Sequence, residues 1–132
     1  MKKIDALNNK DIQSAMKLLN NKEFSKAHKK LLKLANAGSA RAQYALGVIY
    51  YNGDGCHVDD ISATHYFKLS AMQKFEPAMY WYAVALGFGY GTKQCVECAR
   101  NLMRETAAMG YPDAIEFLSH KSYDLLKTLV NK

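Results

Sequence analysis

The stretch "AQYALGVIYYNGDG", residues 42–55, decides the fold. Its small, aliphatic and aromatic residues show no sustained period-2 alternation, so it reads as a helix and not a strand. The run breaks off at Gly53 and Gly55, which supply the positive φ values that a helix stop and a tight turn need. The pattern occurs again thirty-six residues later as "AMYWYAVALGFGYG", residues 78–91. Gly53 and Gly55 return as Gly89 and Gly91, Tyr44 as Tyr80 and Val48 as Val84. Three alanine columns keep the same offset through the chain: Ala42, Ala78 and Ala114; Ala27, Ala63 and Ala99; Ala35, Ala71 and Ala107. A fixed offset of this length is the mark of an internal repeat.

Each unit reads as two helices. The first spans about 39–52 with Ser39 as N-cap, and the second about 60–73, opening at Asp59 or Asp60. Glu76-Pro77 opens the next unit, since proline in a first helical turn gives up no needed N–H, and "GYPDA" at 110–114 opens a third. Small residues let helices approach to roughly 8–10 Å, with Leu46, Tyr50, Tyr66 and Phe67 filling the grooves. A single hairpin cannot cover its own apolar face, so the units stack. The fold class is therefore all-α, a short α-solenoid of stacked helix-turn-helix repeats with a 36-residue period. Residues 1–132 form one domain, divided into a degenerate N-terminal unit with a lysine-rich helix (1–37), two repeats (38–73 and 74–109), and a partial repeat with a C-terminal capping helix (110–132). In that last helix Leu118, Leu125 and Leu129 point inward.

With 132 residues, 49% of them apolar, the chain can bury a core without staples, which argues against disorder. The opening "MKKIDALNNKDIQSAMKLL" puts polar residues where an export signal or membrane span would be apolar, so the expected compartment is the cytoplasm. Three cysteines, an odd number, point to free thiols in place of a disulfide framework. The net charge of +6 is an N-terminal property: residues 1–36 hold nine lysines against Asp5, Asp11 and Glu23, and the remainder is neutral.

The pattern A-x-x-x-L-G-x-x-Y-x-x-G-x-G at Ala42, Leu46, Gly47, Tyr50, Gly53 and Gly55, followed by Asp60, Ala63, Tyr66 and Ala71, resembles the Sel1-like repeat, a relative of the tetratricopeptide repeat. The resemblance covers roughly residues 22–120 and is strongest in 38–73. In the second unit Tyr82, Ala83 and Leu86 stand in the places of Leu46, Gly47 and Tyr50, and the N-terminal unit has a shortened loop at Asn20-Asn21 with no glycine signature. The resemblance implies a solenoid whose inner, concave face binds a protein or peptide. It implies an adaptor, regulator or assembly factor and not an enzyme; some bacterial members neutralise or assist secreted effectors. By the family's pattern the inward positions are Arg41, Tyr44, Val48, Tyr51 and Asn52, then Tyr80, Val84 and Phe88, then Glu116 and His120. Tyrosine, arginine and phenylalanine are residue types that anchor interfaces. Replacing Tyr44 and Tyr80 by alanine is expected to abolish partner capture while leaving the helices intact. Trp81 sits one place off this face.

Other chemistry is weaker. "CVEC", Cys95 to Cys98, has Cys56-His57 in the equivalent loop of the preceding unit, and together they would make a Cys3His zinc set. With no second Cys-x-x-Cys, buried structural thiols are the expectation, and neither metal nor cofactor. Cys95, near a helix N-terminus, is nonetheless placed for local reactivity. His28, His57, His65 and His120 are scattered and make no catalytic set. "GFGYG" follows a helix and lacks the Gly-Lys-Ser/Thr ending, so it is a turn and not a phosphate loop.

On a helix over about 22–36, Lys22, Lys26, Lys29, Lys30 and Lys33 share one face, within roughly 100° of one another. This face is either the solvated outer surface of a terminal repeat or a contact for an anionic surface such as nucleic acid or membrane. Nucleic acid is disfavoured, because no aromatic residues interleave with the lysines. An uncovered terminal unit also leaves self-association open.

Overall fold

In the computed structural model, which describes residues 2–120 and side chains from residue 10 onward, the described residues form seven helices and no strand. These are α1 (Lys2–Asn20), α2 (Phe24–Asn36), α3 (Ala40–Asn52), α4 (Asp60–Ala71), α5 (Glu76–Phe88), α6 (Val96–Ala108) and α7 (Pro112–Ser119). Ser39 starts α3, its Oγ accepting the Ala42 N–H at 3.2 Å. Asp59, and not Asp60, starts α4, accepting the Ser62 N–H at 3.1 Å. Left-handed glycines close α3 at Gly53 and α5 at Gly89, as the repeat requires.

Each helix packs on its neighbours in sequence, giving the solenoid its two layers. The odd-numbered helices lie side by side, since Tyr51 on α3 reaches Trp81 on α5 and Tyr80 on α5 reaches Phe117 on α7. Two of the alanine columns are the crossing points: Ala27, Ala63, Ala99, Ala42, Ala78 and Ala114 are all at most 1% exposed. Leu31, Leu46, Met79 and Met103 fill the space around them, completely buried. Each such side chain contributes about 1.5–3 kcal/mol of transfer free energy.

Polar side chains tie the two helices of the 38–73 unit together. The Ser70 hydroxyl donates to Ala40 O at 2.7 Å, and the Gln73 amide donates both to Gly38 O and to Gln43 Oε1 at 2.9 Å. The second glycine of each loop has a different task from the first. A Cβ on Gly55 would strike the side chain of Phe24 at the start of α2, and one on Gly91 would strike the Asp60 backbone at the start of α4. Phe24 and Asp60 are themselves thirty-six residues apart. Each loop thus lies directly on the second helix of the preceding unit.

Three expectations change in detail. The lysine-rich helix starts at Phe24, so Lys22 lies in the preceding turn, with φ 61°. The second helix of the 38–73 unit stops at Ala71 and not at 73. The capping helix is described only as far as Ser119, with Leu118 packed on the last core cluster; Leu125 and Leu129 lie outside the described residues. No helix among the described residues is long and apolar enough to cross a membrane.

Candidate interaction face

Aromatic rings connect α3, α5 and α7 across the odd-helix face. Tyr44 lies between Phe67 and Phe75, with ring centroids 5.8 and 5.5 Å away. Tyr80 lies among Trp81, Tyr111 and Phe117 at 5.5, 5.9 and 6.3 Å. Trp81 joins the two groups: it stacks on Phe67 at 6.3 Å and meets Tyr51 at 5.4 Å. The tryptophan therefore belongs to the array, although its sequence position set it one place off the face. Its partners Tyr51 and Phe67 belong to the preceding unit, so its place in the array rests on packing between units.

Three phenols of this array, Tyr44, Tyr80 and Tyr111, are held neutral. Burial pushes the Tyr44 hydroxyl up, against a hydrogen bond from Trp81 that pulls it down, with the Asp113 charge adding to the rise. Burial, then Asp113 and Glu116, raises Tyr80. Tyr111 is pushed up to about 12, first by burial and then by Asp113. At neutral pH these rings thus present uncharged hydroxyls, a composition suited to interface cores.

The positions assigned to the inner face fall into two kinds. Arg41, Tyr51 and Asn52 are exposed on α3, and Glu116 on α7 and His120 at its C-cap are exposed with their side chains 3.7 Å apart. Tyr44, Val48, Tyr80, Val84 and Phe88 are half-buried. Tyr44 and Tyr80 pack on two of the core clusters, so their rings help to hold the fold as well as facing outward. Removing both would cost stability, about 2 kcal/mol or more for each ring, so their alanine variant is not a clean test of binding.

A groove of about 550 Å³ opens between α1 and α3, lined by Met16, Leu19, Phe24, Tyr44 and Val48, with Lys22 and Asp54 among its polar residues. Met16 and Leu19 were not among the sequence candidates. They lie three residues apart on one side of α1, and what the sequence does not give is that this side borders a groove with α3. Beyond it a second opening of about 310 Å³ is lined by Tyr51, Val58, Asp60 and Tyr90.

The lysine stripe is less uniform than its spacing implies. Lys30 is half-buried and donates to Ser14 Oγ at 2.8 Å, and Lys26 pairs with Glu23 at 3.3 Å. Lys22, Lys29 and Lys33 are exposed. The cysteine expectation is corrected more sharply: Cys95 and Cys98 form a disulfide, and only Cys56 is a free thiol. Cys95 is the N-cap of α6 and Cys98 lies one turn on, with Cα atoms 5.3 Å apart, within disulfide reach. Neither they nor Cys56 are buried; Cys56, His57 and Cys98 are exposed. Among the described residues no group of three or more His, Cys, Asp or Glu side chains is placed to hold a metal ion.

No family model matches the sequence, and no curated protein matches it. Solved structures do. A Sel1 repeat protein from Oxalobacter formigenes superposes with a TM-score of 0.76 at 21% identity, over 89% of this chain and 96% of that one. The protein c5321, a protective antigen present in uropathogenic Escherichia coli strains and displaying an SLR fold, gives 0.79 at 22% identity over 89% of this chain. This chain spans 26% of the length of c5321. The all-α solenoid of this chain is the fold of the Sel1 repeat proteins.

Proposed function

We propose that this protein is a non-catalytic interaction module that holds a partner protein or peptide against the face formed by α1, α3, α5 and α7. The observation that carries this reading is the aromatic array from Tyr51 through Trp81 and Tyr80 to Phe117, continued toward α1 by the apolar groove at Met16, Leu19, Phe24 and Val48. The rings are held by their packing before any partner arrives, so little side-chain entropy is lost on binding. Arg41, Tyr51, Asn52, Glu116 and His120 supply exposed contacts, and Tyr44, Val48, Tyr80, Val84 and Phe88 supply the wall. We place the module in the cytoplasm, acting as an adaptor or regulator. Neutralising a bacterial toxin or effector is a special case of the same reading.

The test is capture from native lysate by the wild type beside an Arg41→Ala/Tyr51→Ala variant, two exposed positions on one face of α3. A defined protein captured by the wild type and lost in the variant, with the circular dichroism unchanged, is the expected result. Equal capture by both would remove the assignment of this face.

A second reading rests on Lys22, Lys29 and Lys33, exposed in the basic N-terminal unit. In that reading they dock on an anionic surface, nucleic acid or membrane. Phosphate contacts weaken steeply with salt, so binding that disappears between low and physiological salt would favour it.

A further inference from the structure

Cys95 and Cys98 close a disulfide across the first turn of α6. Cys98 is exposed and Cys95 partly so, which leaves the bond open to a dissolved thiol and not sealed in the core. The backbone beneath is tied independently of sulfur. The Cys95 N–H donates to Leu86 O at 2.8 Å, and the Gln94 side-chain amide donates to Gly87 O at 2.9 Å. Opening the disulfide therefore leaves the start of α6 in place.

The same place in the preceding unit shows what a freed Cys95 sulfur would meet. Asp59, thirty-six residues earlier, is the N-cap of α4 with φ −140° and ψ 94°, against −143° and 91° at Cys95. Its carboxylate accepts the Ser62 N–H at 3.1 Å and the Ser62 hydroxyl at 2.7 Å. Those bonds hold the Asp59 carboxyl below the usual carboxylate range, so this position of the repeat favours an anion. Cys98 occupies the place of Ser62, and its N–H already donates to Cys95 Sγ at 3.2 Å.

We propose that Cys95–Cys98 is a thiol–disulfide exchange site whose co-substrate is a low-molecular-weight thiol. A thiolate attacks the exposed Sγ of Cys98 and forms a new S–S bond there. The Cys95–Cys98 bond breaks, and its electron pair leaves on Cys95 as a thiolate that keeps the Cys98 N–H and the positive end of α6 as partners. A second thiolate attacks the outer sulfur of the mixed disulfide, forming the small-molecule disulfide and expelling Cys98 as a thiolate. Two thiols are oxidised and the protein disulfide gains two electrons; of the two protons the thiols release on ionising, one ends on Cys98 and the other stays in solution while Cys95 remains a thiolate. The reverse sequence restores the bond.

The test is to incubate the oxidised, folded protein with reduced glutathione, quench with an alkylating agent and read the cysteines by mass. The expected result is a glutathione adduct on Cys98, conversion of the pair to two alkylated thiols, and return of the disulfide when oxidised glutathione is added. A bond that opens only after unfolding in denaturant would overturn the proposal. A second measurement uses Cys98→Ala, which leaves one sulfur at the cap of α6. Cys95 is expected to react with iodoacetamide at pH 7 about tenfold faster than Cys56 in the same molecule; equal rates would count against the site. The first measurement uses the unaltered chain and decides by itself.

Discussion

Gly91 and Gly89 have nearly the same backbone, φ 65° and 75°, yet stand in different surroundings. A Cβ on Gly89 makes ordinary contact with Gln94, whereas one on Gly91 meets the Asp60 carbonyl and the Ile61 nitrogen, which cannot turn aside. Gly89→Ala is expected to cost about 1 kcal/mol, the left-handed penalty alone. Gly91→Ala is expected to cost about 3 kcal/mol or more, because the loop must lift from α4. Urea denaturation of the two variants checks the difference. Asp59 gives a second prediction at this scale. Its carboxyl is held below the ordinary 3.8 by Ser62, so its contribution to stability is present above that value and is lost as pH falls through the lower folded value. Thermal melts of Asp59→Asn, whose amide oxygen still caps α4 but does not titrate, should fall less steeply than wild type below about pH 4.

Among the elements, α7 has the fewest buried side chains, with Ala114 alone fully enclosed. Its attachment depends on the half-buried rings of Tyr111 and Phe117 against Tyr80. Tyr111 is held neutral up to about 12, so its contribution to stability is complete below the ordinary tyrosine value of 10.0 and is lost as pH rises through 12. Wild type should lose thermal stability over that interval, and Tyr111→Phe should lose less; an identical pH profile would mean that α7 does not depend on this ring. Helix positions were the most legible part of the sequence, because Ser39, Asp59, Gly53 and Pro112 fix ends by local chemistry. The cysteine pair was not, since an odd cysteine count speaks about the chain as a whole and not about two residues one turn apart on α6. Lys30 escaped for a related reason: helical spacing places it with the other lysines, but its bond to Ser14 depends on where α1 lies.

At the scale of the molecule, the 36-residue offset carried the architecture. Positions that coincide in sequence coincide in role: Asp59 with Cys95, Gly55 with Gly91, Ala42 with Ala78 and Ala114. The candidate face was legible only in part. Tyr44 and Tyr80 could be assigned to it from their column, but that they are half-buried in core clusters, and that Trp81 bridges them, depends on packing between units. The groove beside α1 depends on how the degenerate first unit docks, which no glycine signature marks. The two layers now offer opposed surfaces, an aromatic one on the odd helices and a lysine-bearing one on α2. The most direct measurement is photocrosslinking in native lysate with a benzophenone amino acid placed at Tyr51 or, in a separate protein, at Lys29, both exposed. A module that binds through its aromatic face should give one defined protein adduct from position 51 and none from position 29. Adducts from position 29 alone, with protein or with nucleic acid, would contradict the account.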